Sequence, residues 1–329
     1  MSRHKREQDL ISAIINAASQ RYMDIRLSIP GGHRVRIVER PGLWMPSDEL
    51  DNLVADLRSV ASKTLPAGEL AYGVFAGDRD RLGYSVITLI SRRDDDTPVA
   101  FNALALMDVD LGHRSEQVLH LGLVMVDPDL RNQGFSWVLY GLTCVLLLFR
   151  NGMRPLWVSN VTQVPAVVGL VGQGFARVFP TAQTGPQNRR SLLHLHLARS
   201  IMKDHRHVFG VGPDAGFDED RFVITNAYTG GSDHLKKTFE DAPKYRDQIV
   251  NAFCENQLDY DRGDDVLQLG QMDMPTALSY VGREVPRGSF AALALAVIAA
   301  VLQRLAMPLW QWADTRHEFG ILRPREQNK

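Results

Sequence analysis

One stretch of the sequence, residues 119–148, constrains the fold most, because it changes from a strand pattern to a helix pattern across a short turn. Its valine-rich start predicts a strand over 119–126, and apolar residues at helical spacing predict a helix over 134–149. Asp127-Pro128-Asp129 separates the two. A glycine-bearing turn that opens a helix presents unpaired backbone N–H groups at the positive end of the helix dipole. The stretch therefore predicts a binding site for a phosphorylated ligand.

Strand and helix patterns alternate on both sides of this stretch. Helical spacing predicts helices over 8–22, 47–61 and 164–171. Residues 84–91 and 98–109 flank an aspartate-rich turn, so we expect them to form a hairpin. Further strands are predicted over 33–39, 155–161, 176–179 and 192–197. Together these elements predict an α/β fold with a mixed sheet flanked by helices.

The chain divides into three parts by its patterns. Residues 1–32 predict an N-terminal helix and a linker, and residues 33–198 predict the layered α/β domain. From residue 199 the sequence pattern changes. Segments rich in Gly, Asp and His, typical of loops, are followed by apolar segments of helical spacing. We therefore expect residues 199–329 to form an accessory region that is mostly helical.

Charge and cysteine content exclude some classes of function. The chain has 37 basic and 38 acidic residues, a balance that argues against a nucleic-acid binder held by bulk electrostatics. Its two cysteines, Cys144 and Cys254, lie in separate apolar patterns and form no CxxC motif. With no secretory signal before Ile11, these features predict a cytoplasmic protein.

The apolar segment at residues 290–312 allows two interpretations. A membrane-spanning helix needs about 20 apolar residues with few charges, and Gln303-Arg304 interrupts this segment. We favour a buried core helix. Membrane association through residues 290–312 is the alternative, since Trp310 and Trp312 would suit an interfacial position.

Histidine and aspartate clusters do not have the spacing of metal sites. His194, His196, His205 and His207 have no cysteine or acidic partner at a matching distance in sequence. Residues 259–265 lack the closing glutamate of a calcium-binding EF-hand loop. We therefore expect no metal.

The turn at residues 131–136 resembles the acyl-CoA-binding motif of the GNAT superfamily of N-acyltransferases, Arg/Gln-x-x-Gly-x-Gly/Ala, with Ser136 at the last small position. Downstream, residues 164–168 and Gly174-Phe175 resemble a second region of that family. The resemblance covers residues 35–198, about half of the chain. It implies a mostly antiparallel sheet and an acyl-CoA co-substrate.

The resemblance also implies which residues hold coenzyme A. The pantetheine arm would pair with the end of the preceding strand, and the diphosphate would lie over the turn, where Gly134 allows close backbone approach. Gln163 corresponds to an asparagine that many members have eleven residues before the Gly-Phe pair. The implied set is Val124, Met125, Val126, Arg131, Asn132, Gln133, Gly134, Phe135, Ser136 and Gln163.

Acyl transfer to an amine needs a base and a proton donor for the leaving thiolate. Where the histone-acetylating branch has a glutamate, eleven residues before Arg131, this chain has His120. We expect His120 to titrate near its ordinary pKa of about 6.5; the alternative is a strand histidine with no role. Glu116 and Asp110 are the next candidates for the base. Leu170 stands where many members have the tyrosine that serves as acid. Tyr140, Ser159 and Asn160 are the candidates to replace it, and Tyr140 and Asn160 join His120 as predicted catalytic residues.

The sequence therefore predicts an N-acyltransferase that moves an acetyl or other acyl group from acyl-CoA to a primary amine by direct attack. The acceptor is a small molecule or a protein amine. One alternative is transfer of a long acyl chain from acyl-CoA or acyl carrier protein, motivated by the apolar C-terminal segment. Another is an acyl-CoA-binding regulatory module without turnover, motivated by Leu170.

Overall fold

A computed structural model describes residues 21–65, 73–112, 114–130, 133–135, 137–183, 185–230 and 235–313. The helix predicted over residues 8–22 falls outside these ranges except for its last two residues. The described residues form an α/β fold around one ten-stranded, mixed and mostly antiparallel sheet. The strands are β1 (Asp24–Ile29), β2 (His33–Glu39), β3 (Ser85–Arg92), β4 (Pro98–Asp110), β5 (Ser115–Val126), β6 (Leu156–Thr162), β7 (Ala176–Phe179), β8 (Gly216–Asp218), β9 (Val223–Thr225) and β10 (Asp265–Met272).

Strand order in the sheet is β1-β2-β3-β4-β5-β6-β10-β9-β8, and β7 pairs with β10 off this path. Neighbours are antiparallel except β5 and β6, which are parallel. The hairpin predicted from residues 84–91 and 98–109 is confirmed as β3 and β4. Gly31 and Gly32 form the turn between β1 and β2 in the left-handed region.

Nine α-helices flank the sheet in the described residues. They are α1 (Pro41–Trp44), α2 (Ser47–Ala61), α3 (Arg79–Leu82), α4 (Thr143–Arg150), α5 (Pro165–Gly174), α6 (Leu192–Ser200), α7 (Gln248–Gln257), α8 (Met274–Glu284) and α9 (Phe290–Ala313). A π-helix, Trp137–Leu142, leads directly into α4, and a second, Ile201–His205, follows α6. The remaining helical turns are 3₁₀ segments at Gly73–Ala76, Pro128–Leu130, Pro186–Asn188, Arg206–Phe209, Ala227–Gly230 and Arg287–Ser289.

The two faces of the sheet carry different layers. Leu104 and Leu106 of β4 belong to a core that also contains the buried residues of α4 and α9. The intervening residues point to the opposite face, as strand geometry requires. There, Ala103 packs with α2, and Ala105 packs with α6. We call these the α4 face and the α2 face.

Residues after 198 contribute strands to this same sheet. β10, which the sequence did not predict, lies between β6 and β9 and pairs with β6 over seven positions, from Val266 opposite Thr162 to Met272 opposite Leu156. β8 and β9 extend the sheet to its edge. The last third of the chain therefore combines helices with three strands, of which β10 is an interior strand of the sheet.

The strand predicted over residues 192–197 is wrong, because this segment is the helix α6. Ser191 caps the helix, its hydroxyl accepting from the backbone N–H of His194, whose ring in turn contacts the Ser191 N–H. Leu193, Leu197 and Ile201 then recur at a spacing of four and pack into one core. The alternation of leucine and histidine spans too few residues to outweigh this cap and packing.

The apolar C-terminal segment forms α9, a helix that packs against α4 and β1. Leu293, Ala296 and Ala300 are buried on its inner face, whereas Leu305 and Leu309 are exposed. By length and composition, one span among the described residues, Arg287–Ala306, is long and apolar enough to cross a membrane.

Candidate functional site

The parallel strands β5 and β6 separate shortly after they meet. β5 pairs with β4 from Ser115 to Val126 but pairs with β6 only at Val118, Leu119 and His120. Among the described residues, no strand pairs with that edge of β5 beyond His120. Residues 121–126 therefore have backbone groups on this edge that are free of sheet pairing.

A bulge in β5 marks the point of separation. Ala103 lies opposite Leu123 and Ala105 opposite His120, so two residues of β5, Leu121 and Gly122, face one residue of β4. At Gly122 a Cβ atom would lie 2.3 Å from the carbonyl oxygen of Ala103. Only glycine fits at this position, and the bulge depends on it.

A cavity of about 760 Å³ fills the gap between the two strands. Its walls include Leu104 of the α4 face and both Ala103 and Ala105 of the α2 face. The cavity therefore passes through the sheet and reaches both of its faces. A ligand on one face can meet a second ligand from the other at the level of β5.

The three predicted catalytic residues, His120, Tyr140 and Asn160, all line this cavity. His120 is buried, with its Nδ1 3.1 Å from Ser159 Oγ and its ring 5.2 Å from the ring of Phe209. Burial lowers the pKa of His120 to about 4. The expectation of an ordinary histidine pKa is therefore wrong, and the imidazole is neutral throughout the physiological range.

Tyr140 and Asn160 approach the cavity from different elements. Tyr140 lies on the π-helix that precedes α4, and burial raises the pKa of its phenol. Asn160 lies on β6, where its Nδ2 donates to Gln268 Oε1 at 3.2 Å. Gln268 in turn donates to the backbone carbonyls of Val168 and Pro180. The Asn160 amide is thus oriented by a hydrogen-bonded chain behind it.

The residues implied for coenzyme A fall into separate places. Val124 lines the cavity, whereas Met125 and Val126 pair with Phe101 and Ala100 of β4 and lie further along β5. Gly134 takes the left-handed φ of +75° that its turn requires. Of the remaining residues of the turn, Gln133 is exposed, Phe135 packs edge-on against His33, and Arg131, Asn132 and Ser136 fall outside the described residues.

Gln163 does not reach the cavity. Its side chain is buried, its Nε2 donates to the Tyr228 hydroxyl and to the Leu235 carbonyl, and its Oε1 accepts from the Lys237 N–H. These bonds use the amide to fix the loop that leads to α7.

Sequence reasoning missed several polar residues of the cavity wall. Leu170 lines the cavity, as the missing tyrosine would, but three unpredicted tyrosines join it from other elements: Tyr84, Tyr245 and Tyr280. Tyr245 donates to Gln173 Oε1 at 2.6 Å. Tyr280 packs on Gly141, where a Cβ atom would lie 1.8 Å from the phenol ring. Tyr245 and Tyr280 come from the last third of the chain, where no motif pointed to a site.

Within the described residues, no cluster of three or more His, Cys, Asp or Glu side chains has metal-binding geometry. No family model matches the chain, and no curated protein matches it.

Proposed function

We propose that this protein is an acyl-CoA-dependent N-acyltransferase of the GNAT type, which transfers an acyl group to a primary amine. The observation that carries the proposal is the separation of β5 from β6 immediately after His120, with a cavity through the sheet at that point. This arrangement supports the resemblance seen in the turn, because that family binds the pantetheine arm along the end of the strand that precedes its turn.

The donor would lie along β5. The amide groups of pantetheine would hydrogen-bond to the unpaired backbone edge of residues 121–126, as an added strand does. The diphosphate would then reach the turn at Gly134, whose left-handed conformation lets backbone N–H groups converge on an anion. This placement brings the thioester towards His120 and Asn160 at the start of the gap.

The reaction forms one C–N bond and breaks one C–S bond. The amine attacks the thioester carbonyl, its proton passes to His120 directly or through water, and the thiolate leaves with a proton from Tyr140. His120 then releases its proton to water and Tyr140 regains one, which restores both residues. Tyr140 lines the cavity and is protonated at neutral pH, so it can donate this proton, although the raised pKa makes it a weaker acid than a free phenol. His120, with a pKa of about 4, is a weak base, so the acceptor must bind as the neutral amine. Holding the two reactants together would supply most of the rate gain.

Two observations favour the alternatives. The cavity walls near Tyr140 are apolar, with Val167, Val171 and Met272 among them, which would suit a longer acyl chain. Leu170, 54% exposed beside the cavity, cannot donate a proton, which would suit an acyl-CoA-binding module without turnover.

The test is to measure thermal stabilisation by acetyl-CoA and by long-chain acyl-CoAs, together with thiol release in the presence of a broad panel of amines. Leu123→Trp would narrow the cavity beside β5, and Leu192→Trp, at an exposed leucine outside it, is the matched control. We expect acyl-CoA to stabilise the wild type and the control but not Leu123→Trp. Stabilisation without thiol release would support the binding module, and no stabilisation by any acyl-CoA would rule out every function that uses acyl-CoA.

A further inference from the structure

On the α2 face the cavity wall includes an arginine that forms no ion pair with any residue that the structure describes. Arg81 is half-buried in the cavity wall and donates from Nη2 to the Val208 carbonyl at 3.0 Å. No carboxylate among the described residues lies within 4.0 Å of its guanidinium. Asp78 and Asp80 are close in sequence but exposed, and Asp78 Oδ1 caps the N–H of Asp80. Because a partly desolvated cation without a counter-ion is unfavourable, this site suits an anion.

Arg81 is connected to His120 through two consecutive residues. The carbonyl that holds the guanidinium belongs to Val208, and the next residue, Phe209, places its ring against the His120 imidazole. Tyr84 lies on the same part of the cavity wall. A ligand on this face would therefore meet a cation at one end, an aromatic surface in the middle and the His120 ring at the other end.

We propose that the acceptor amine carries an anionic group, a carboxylate or a phosphate, which binds to Arg81 while the amine lies at His120. This inference rests on the proposed function for the role of the amine. The planar guanidinium presents several N–H donors in a fork that matches either anion. The surface of Phe209 would pack against the part of the acceptor that separates its two ends.

The test is a binding measurement on the full chain, with coenzyme A present in place of acyl-CoA so that no turnover occurs. The probes are ω-amino acids of increasing chain length, each paired with its neutral amide, and the corresponding ω-aminoalkyl phosphates. Calorimetry gives the dissociation constant of each probe for the wild type, Arg81→Met and Arg81→Lys. Lys203→Met, at a lysine whose side chain is 81% exposed and outside the cavity, is the control for removal of one positive charge.

We expect the wild type and Lys203→Met to bind the anionic member of a pair about 10- to 100-fold more tightly than the amide, as a charge-assisted hydrogen bond implies. Arg81→Met should lose this preference without weakening binding of the amide, and Arg81→Lys should keep part of it. The length of the probe that binds best then gives the distance between the amine and the anionic group of the acceptor. Its head group shows whether that anionic group is a carboxylate or a phosphate.

Two results would overturn the inference: no preference for the anion in the wild type, or a preference that survives in Arg81→Met. Failure of the proposed function appears elsewhere, as an absence of thiol release with every amine, and does not change the binding ratios.

Discussion

His120 and Ser159 are the last residues that β5 and β6 pair before the strands separate, and the imidazole Nδ1 lies 3.1 Å from the serine hydroxyl. The hydrogen bond occupies one ring nitrogen. The other, Nε2, has no hydrogen-bonding partner among the described residues. The hydrogen bond to Ser159 therefore fixes the orientation of the candidate base. His120 lies at the point where β5 and β6 separate, where the acyl donor and the acceptor would meet.

This geometry predicts a large effect of His120→Ala on turnover. We expect kcat to fall by about 10²-fold, the lower end of the usual contribution of a positioned base, because a base with a pKa of about 4 is weak. Because burial lowers the pKa of His120 to about 4, the wild-type rate should show no loss from protonation of His120 between pH 6 and 9. Steady-state kinetics across this range checks both statements. His196→Ala, at an exposed histidine of α6, is the control, and an unchanged kcat in His120→Ala would remove this residue as the base.

A second prediction concerns Gly134 in the turn after β5. Nothing lies within 4 Å of the position that a Cβ atom would take, but φ is +75°, so Gly134→Ala adds backbone strain of about 1–2 kcal/mol without a clash. We expect a weaker affinity for acyl-CoA together with a modest loss of stability, measured by calorimetry and by urea denaturation.

Gly112→Ala is a matched control for this strain. Gly112 also has a left-handed φ, +82°, and open space around its Cβ position, but it lies in the turn between β4 and β5, at the opposite end of β5 from Gly134. It should lose similar stability and keep its affinity for acyl-CoA. Equal losses of affinity in the two variants would contradict a role for the Gly134 turn in binding.

The elements that the sequence predicted well are those defined by local pattern. The hairpin of β3 and β4, the strand-turn-helix that contains β5, and the Pro165–Gly174 helix each carry their signal within about 30 consecutive residues. The same locality led to His120 and Tyr140, since both lie close in sequence to the turn. That His120 and Tyr140 line the same cavity could not be predicted, because the cavity opens at the bulge at Gly122. This bulge is visible only in the pairing of β4 with β5.

What the sequence did not predict depends on distant contacts. β10 acquires its place from pairing with β6, more than 100 residues earlier, and short apolar runs do not distinguish a central strand from other buried segments. Arg81 and Tyr280 both line the cavity because α3 and α8, which are about 200 residues apart in sequence, pack around it. No spacing rule links such residues before the fold is known.

A third prediction tests how α8 closes the cavity. In Gly141→Ala the new methyl group would overlap the ring of Tyr280, at 1.8 Å from two ring carbons. Tyr280 must then move, and overpacking of this kind costs about 1–3 kcal/mol. We expect a lower unfolding free energy and a weaker affinity for acyl-CoA.

Gly282→Ala provides the control on the same helix as Tyr280. No atom lies within 4 Å of its Cβ position, and alanine favours a helix over glycine by about 0.5–1 kcal/mol. This variant should therefore be slightly more stable and bind acyl-CoA as the wild type does. A Gly141→Ala variant with wild-type stability and affinity would show that Tyr280 does not form a fixed wall.

The last prediction concerns Asp265, a buried carboxyl at the start of β10 whose Oδ1 accepts from the Tyr228 hydroxyl at 3.0 Å. Burial, with a smaller contribution from the charge of Asp264, raises the pKa of Asp265 from 3.8 to about 7. Between these two values the folded state keeps a proton that the unfolded state has released, so the unfolding free energy falls as pH rises through this window.

Asp265→Asn should remove this fall because the amide does not titrate, while its oxygen still accepts from Tyr228. Each pH unit within the window is worth about 1.4 kcal/mol, so the wild type should lose about 3 kcal/mol relative to Asp265→Asn between pH 5 and pH 8. Urea denaturation of both proteins at the two pH values measures this difference. Other titrating groups are the same in both proteins, so their contributions cancel. Asp261→Asn, at an exposed aspartate of the preceding turn, should follow the wild type. If Asp265→Asn also follows the wild type, the carboxyl is already ionised at pH 5 and its charge is stabilised by the surrounding polar groups.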